Sequence, residues 1–192
     1  MKPFRLRFPT ASIPLLAEKY VQELPDRDRR LEDEIEKRVF PRYLERGHLT
    51  KEEFLAVYKW KTPRTKSRCA KNAEEFIKEV SEIVLKTRSE RLRIEILTLL
   101  HGVGWPTASV FLHFAFEDRY PILDYRALES LGIKEPVYDF KLWSDYADFC
   151  RKVANLNRVS MRALDRALWK YSEMNQGKSV VCVTRAWVAC IE

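Results

Sequence analysis

Residues 100–109 read Leu100-His101-Gly102-Val103-Gly104-Trp105-Pro106-Thr107-Ala108-Ser109, between two strongly apolar helical patterns. Two glycines flanking one apolar residue allow a tight turn with positive φ. Val103 can pack inward and hold the flanking helices together. The turn then aims backbone N–H groups outward, beside the start of the next helix. Amides without intrahelical partners and the helix dipole together favour an anion at such a place. Pro106 fits, because proline is tolerated in the first turn of a helix. An ordinary αα-turn with a C-capping glycine is the plainer reading of Gly102-Val103-Gly104.

Outward from this bend the pattern is helical nearly throughout, so an all-α chain is expected. Ser89 is a helix N-cap ahead of Leu92, Ile96, Leu99 and Leu100, and Gly102 and Gly104 close that helix. Residues 105–116 are apolar on most sides, as in the central helix of a core. Nearer the N-terminus, Leu15, Leu16, Tyr20 and Leu24 step by three and four. A charged helix follows over about 26–46, where Pro41 should break or kink the stripe and Gly47 should end it. Thr50 and Glu53 form a capping box, and Asn72 is placed to cap the next helix. Beyond Pro121 a short helix begins at Asp124, then two longer ones near 139–154 and 160–174. The expectation is a single two-lobed domain over 1–192, with its helix-hairpin-helix at about 91–116. The tail, 178–192, is uncertain; its Val-Val-Cys-Val-Thr has a strand-like pattern with no obvious partner.

Apolar residues make up 46% of the 192, enough to build a core, and the net charge is +7. That balance favours an acidic partner such as nucleic acid or an anionic membrane surface; solubility alone is the simpler explanation. Cys69, Cys150, Cys182 and Cys190 include no C-x-x-C pair, so neither zinc nor an iron–sulfur cluster is expected. Reduced, buried thiols are the expectation. Residues 1–12 lack an apolar secretion core, and no run of 18 apolar residues occurs, so a cytoplasmic, non-membrane protein is expected.

The stretch from Gly104-Trp105-Pro106-Thr107-Ala108 to Pro121-Ile122-Leu123-Asp124 resembles the helix-hairpin-helix, endonuclease III-like superfamily of DNA glycosylases. That family reads L-P-G-V-G-x-K-T-A, with a catalytic aspartate eighteen residues after its lysine. Here Pro106 takes the lysine position and Asp124 stands eighteen residues on. Arg126 to Leu131, then Gly132, resembles the R-x-x-x-R-L-G run that follows. The resemblance spans 97–133, under a quarter of the chain. It implies two helical lobes flanking a cleft, base-excision repair of DNA, and Asp124 as the catalytic carboxylate. It also implies phosphate contacts from Gly102, Val103, Gly104, Trp105 and Thr107. Hairpin carbonyls can hold a monovalent cation in this family; no other cofactor is implied. The departures are equally definite. Pro106 cannot form a Schiff base, His101 replaces a proline, Tyr125-Arg126 replaces T-H, and the four-cysteine cluster loop is absent. A monofunctional glycosylase is therefore expected, and a non-catalytic DNA-binding module is the alternative. A helical interaction domain with no nucleic-acid role is a weaker third reading.

Asp124 has two readings, an ordinary N-cap of the helix after it or a carboxylate that stabilises an oxocarbenium-like sugar or activates water. One oxygen can cap while the other faces a substrate. Residues 58–72 carry Lys59, Lys61, Arg64, Lys66, Arg68 and Lys71 without an acid between them, and Trp60 lies between two lysines. Trp60, Lys61, Arg64, Lys66 and Arg68 are thus candidate nucleic-acid contacts, by phosphate pairing and base stacking. The alternative is a solvated loop with Trp60 plugging the core. Were a covalent intermediate formed, Lys61 is the candidate for a relocated lysine. The aromatic stripe Tyr138, Phe140, Trp143, Tyr146, Phe149 and Trp169 is core by default, with one or two lining a base pocket. His113, on the central helix, is expected to be a satisfied core histidine. The partner expected is duplex DNA, contacted without sequence preference by a monomer.

Overall fold

The computed structural model describes residues 4–61 and 66–175, and the tail at 178–192, with Cys182 and Cys190, lies outside these. The described chain is all-α. Its helices are α1 (Ile13–Glu23), α2 (Asp26–Glu34), α3 (Phe40–Arg46), α4 (Lys51–Lys61), α5 (Lys66–Cys69) and α6 (Glu74–Lys86). Then follow α7 (Glu90–Glu95), α8 (Trp105–Ala115), α9 (Tyr125–Glu129), α10 (Phe140–Asn157) and α11 (Met161–Asn175). No helix among the described residues is long and apolar enough to cross a membrane.

Helix α8 runs through the centre. Val110, Phe111 and Leu112 are all but sealed from solvent. Around α8 pack α3, α4 and α7. Phe54 of α4 stacks on Phe111 at 5.6 Å, and Phe40 of α3 leans on Phe114 at 5.2 Å. Helix α11 lies along α1 and against α9 and α10. Trp143, Tyr146 and Cys150 of α10 are fully buried, so most of the aromatic stripe belongs to the core. His113 is buried as well, with Nδ1 2.7 Å from the Tyr120 carbonyl oxygen. Burial, assisted by the positive field of Arg162, pushes its pKa down to about 3. It is a neutral, satisfied core histidine.

Local signals set most of the boundaries. The capping box forms as expected, Thr50 Oγ1 accepting from Glu53 N–H at 3.2 Å and Glu53 accepting from Thr50 N–H at 3.0 Å. Ser89 caps α7 through Leu92 N–H at 3.2 Å, and Gly47 closes α3 in the left-handed region at φ 85°. The charged helix is interrupted but not ended at Pro41. A π-turn over Ile35–Val39 precedes it, and Phe40 N–H bonds to the Ile35 carbonyl. The wider turn makes room for a ring that a regular α-turn would drive into the carbonyl four residues back. Helix α7 ends before the glycines, tightening into a 3-10 turn over Ile96–Leu99. Of the N-terminal stripe, Leu16 is buried with Ile13 and Ala17, and Tyr20 and Leu24 line a cleft, while Leu15 is 67% exposed.

Asn72 has a different role from the cap expected of it. Ala73 occupies the N-cap position of α6 with no side-chain bond. Asn72 is buried instead and braces the bend. Its Nδ2 donates to the carbonyls of Cys69 (2.9 Å) and His101 (3.0 Å), and its Oδ1 accepts from His101 N–H (2.8 Å). A primary amide can hold both the N–H and the C=O of one residue while donating a second hydrogen to another carbonyl; a hydroxyl, with one hydrogen, cannot.

Gly102, at φ 84°, lies under this brace, and a Cβ there would stand 2.7 Å from Cys69 Sγ. Gly47 has a similar φ and nothing within 4 Å of its Cβ position. Gly47→Ala should therefore cost about 1 kcal/mol from backbone strain alone, and Gly102→Ala about 3 kcal/mol from strain plus overpacking. Urea unfolding of both variants measures the difference; equal costs would show that the approach to Cys69 relaxes freely.

Candidate active site

The candidate residues fall in two regions. One is the bend itself. His101, Gly102 and Gly104 are exposed, Trp105 and Pro106 are half-buried, and Val103 packs into the core. Gly104 is the N-cap residue of α8, and its carbonyl accepts from Thr107 N–H (3.0 Å) and Ala108 N–H (2.9 Å). The N–H groups of Gly104 and Trp105 precede any intrahelical acceptor, so they face outward at the positive end of the helix. Thr107 is buried, and its amide is already bonded to Gly104. Arg68 is exposed beside the bend, its Cβ 3.5 Å from where a Gly102 Cβ would be. Arg64 lies outside the described residues, as does the side chain of Lys66.

The second region is a cleft of about 480 Å³. The α1–α2 corner lines it with Tyr20, Leu24, Pro25 and Asp28; the end of α4 adds Trp60 and Lys61. Ile122 and Asp124 come from the segment before α9, and Arg162, Asp165, Trp169 and Glu173 from α11. Tyr20 and Trp169 meet edge to face at 5.3 Å, making one aromatic wall. Trp60 forms the other, edge-on to Phe114 at 5.7 Å, with the Arg162 guanidinium 6.0 Å from its ring centre. Thus Trp60 both packs on the core and faces the cleft. The volume suits a drug-sized ring system, and the walls suit stacking.

Asp124 is the N-cap of α9, and its Oδ1 accepts from Arg126 N–H at 2.9 Å. Its Oδ2 lies 2.5 Å from Lys61 Nζ, the two side chains being 15% and 14% exposed. One buried hydroxyl links the carboxylate to the bend. Ser109 Oγ donates to the Pro106 carbonyl and accepts from Leu123 N–H, both at 2.8 Å. The segment carrying Asp124 is thereby tied to the opening turns of α8.

The floor of the cleft is a buried charge cluster that sequence reasoning missed. Arg162 pairs with Glu32 (2.7 Å), Glu36 (2.8 Å) and Asp165 (3.0 Å), and Arg166 pairs with Glu32 (2.5 Å) and Glu36 (3.2 Å). Tyr20 Oη donates to Glu32 at 3.0 Å. The available signal was two i,i+4 pairs, Glu32/Glu36 and Arg162/Arg166, which register face to face across helices. Burial works against the Arg162 charge, yet Glu32, Asp165 and Glu36 more than offset it and its pKa is raised. Asp165 shifts against ionisation, to about 6: burial outweighs Arg162 and Lys61, while Asp124 and Glu32 repel it. The two shifts differ because Arg162 has three carboxylates, whereas Asp165 shares one arginine and faces other acids. Asp28, Asp124, Asp165 and Glu173 outnumber Lys61 and Arg162 in the cleft wall, so phosphate is disfavoured inside. Ring N–H donors and positive charge on a sugar are favoured. Among the described residues, no group of three or more His, Cys, Asp or Glu is placed to hold a metal ion.

No protein-family model matches the chain, and comparison with curated proteins finds no match. Among solved structures, it is similar to an 8-oxoguanine glycosylase/lyase of Methanocaldococcus jannaschii, in complex with a 15mer DNA containing 8-oxoguanine. The similarity has a TM-score of 0.48 at 18% sequence identity, over 88% of this chain and 82% of that one.

The folded protein holds the Asp165 proton more tightly than the unfolded chain does, between pH 3.8 and about 6. The stability from this group is therefore fully present below that window and is lost as pH rises through it. Asp165→Asn removes the titration, so the variant should gain stability relative to the parent as pH rises through 6. Paired urea titrations from pH 4 to 7 test this; a pH-independent difference would place the Asp165 pKa near its ordinary value.

Proposed function

We propose that this chain binds duplex DNA through the Gly102–Gly104 bend and excises a base held in the cleft, by cleaving its N-glycosidic bond. The observation that carries the reading is Asp124, fixed by a backbone N–H at one oxygen and facing an aromatic-walled cleft with the other. The eighteen-residue spacing from Pro106 to Asp124, on the glycosylase pattern, is the sequence counterpart.

Amides at the start of α8, with Arg68 beside them, suit a backbone phosphate without reading sequence. A base turned out of the stack would lie between Trp60 and the Tyr20–Trp169 wall. As the bond to the base stretches, positive charge grows on the sugar, and the Asp124 carboxylate opposes it. The acidic lining then accepts hydrogen bonds from ring N–H groups. The second reading, a DNA-binding module without chemistry, is favoured by Pro106, which removes the amine from the helix where the family pattern puts it.

Duplexes carrying one uracil, hypoxanthine, 3-methyladenine or 8-oxoguanine should reveal release of at least one base. Asn is as good an N-cap as Asp, so Asp124→Asn should fold normally. Its release rate should fall by about 100-fold or more, with DNA affinity within a few-fold of the parent. Undiminished release in that variant would remove Asp124 from the chemistry. Salt-sensitive binding with no release from any of these duplexes would favour the non-catalytic module.

A further inference from the structure

We propose that Lys61 is the amine nucleophile of this cleft, attacking the sugar C1′ with Asp124 as its base. The proposal rests on the glycosylase reading above and assigns a covalent step to it. The glycosylase pattern puts its lysine at the start of α8, where this chain has Pro106. The structure supplies an amine from a different helix. Lys61 is the last residue of α4, and α4 packs against α8. Its Nζ meets Asp124 Oδ2 at 2.5 Å in the wall of the same cavity.

Three features separate this contact from a structural ion pair. First, the pair lines a cleft of about 480 Å³ and is not sealed in the core, so a substrate atom can reach it. Second, Asp124 is itself oriented by Arg126 N–H, which gives the arrangement nucleophile, base and orienting group in hydrogen-bonding sequence. Third, a half-buried lysine–carboxylate pair is a weak source of stability, because desolvation offsets most of the attraction. Helix α4 is already held in place by its apolar packing on α6 and α8, with Phe54, Val57 and Tyr58 buried.

The Lys61 ammonium passes one proton to Asp124, and the freed lone pair forms a bond to C1′. The N-glycosidic bond breaks, its electron pair leaves with the base, and the base takes the proton held by Asp124. The nitrogen then loses a second proton to O4′ as the C1′–O4′ bond opens, leaving a protonated imine. Removal of a C2′ proton expels the 3′-phosphate. Water hydrolyses the imine and returns the lysine amine.

The test uses the full chain with two probes, a duplex carrying one abasic site and the lesion duplexes described above, each with borohydride present. The expected result is a reduced covalent adduct that peptide mapping locates at Lys61, with strand cleavage at the abasic site. Arginine keeps the charge and the contact to Asp124 but is no nucleophile, so Lys61→Arg should fold with an unchanged unfolding midpoint. Its adduct should fall to the background of an intact duplex. Asp124→Asn should slow adduct formation by about 100-fold. Base release without an adduct, or an adduct at another amine, would overturn the lysine assignment and leave the glycosylase reading standing. An adduct at Lys61 on abasic DNA, with no base released from any lesion, would uphold the amine and sink the glycosylase reading. Neither adduct nor release would sink both.

Discussion

The division of labour between the two oxygens of Asp124 is the constraint on which the site depends. One oxygen accepts from the Arg126 amide, the second of α9, so the carboxylate cannot rotate without uncapping that helix. The other is thereby held toward Lys61 at the end of α4. Ser109 adds a third restraint by fixing the chain just before Asp124 to the opening turns of α8. Three helices are thus registered at one point by short polar contacts. Because the capping and the cleft-facing roles reside in one side chain, the start of α9 and the wall of the cleft are coupled there.

The cleft and the bend present opposite electrostatic characters. The bend offers main-chain amides, a helix N-terminus and Arg68. The cleft is lined by more carboxylates than cations. A polyanion is therefore drawn to the outside, while an uncharged ring with N–H donors is favoured within. The +7 net charge of the sequence describes attraction to the outside only and gives no hint of the acidic interior.

Much of the helical plan was legible because it is written locally. Ser89, Thr50 with Glu53, Gly47, Asp124 and Asp139 all act on residues within four positions of themselves, and each terminates or starts a helix where it was expected. Asn72 was misread because its partner, His101, is distant in sequence, and nothing local distinguishes a brace from a cap. Pro41 interrupts the regular α-helix where expected, and the interruption takes the form of a π-turn, whose wider ring the sequence does not spell out. In the cleft, Asp124 and Lys61 were visible through a spacing and a basic run. Trp169 was among six aromatics from which a pocket wall was expected but not singled out. Tyr20, Glu32, Arg162 and Asp165 were not visible as site residues, since α1, α2 and α11 come together only through tertiary packing.

Arg162 faces a second chamber of about 390 Å³ on its far side, lined also by Phe40, His113 and Phe114. Together with the Trp60–Phe114 contact, its side chain forms a partition one residue thick between the two spaces. The capacity of the cleft is therefore governed by Arg162 and the Trp60–Phe114 contact. Because Arg162 also holds the Glu32, Glu36 and Asp165 carboxylates, shortening it to widen the cleft would strand buried acids, so the size of the space and the stability of the α2–α11 contact are linked through one side chain.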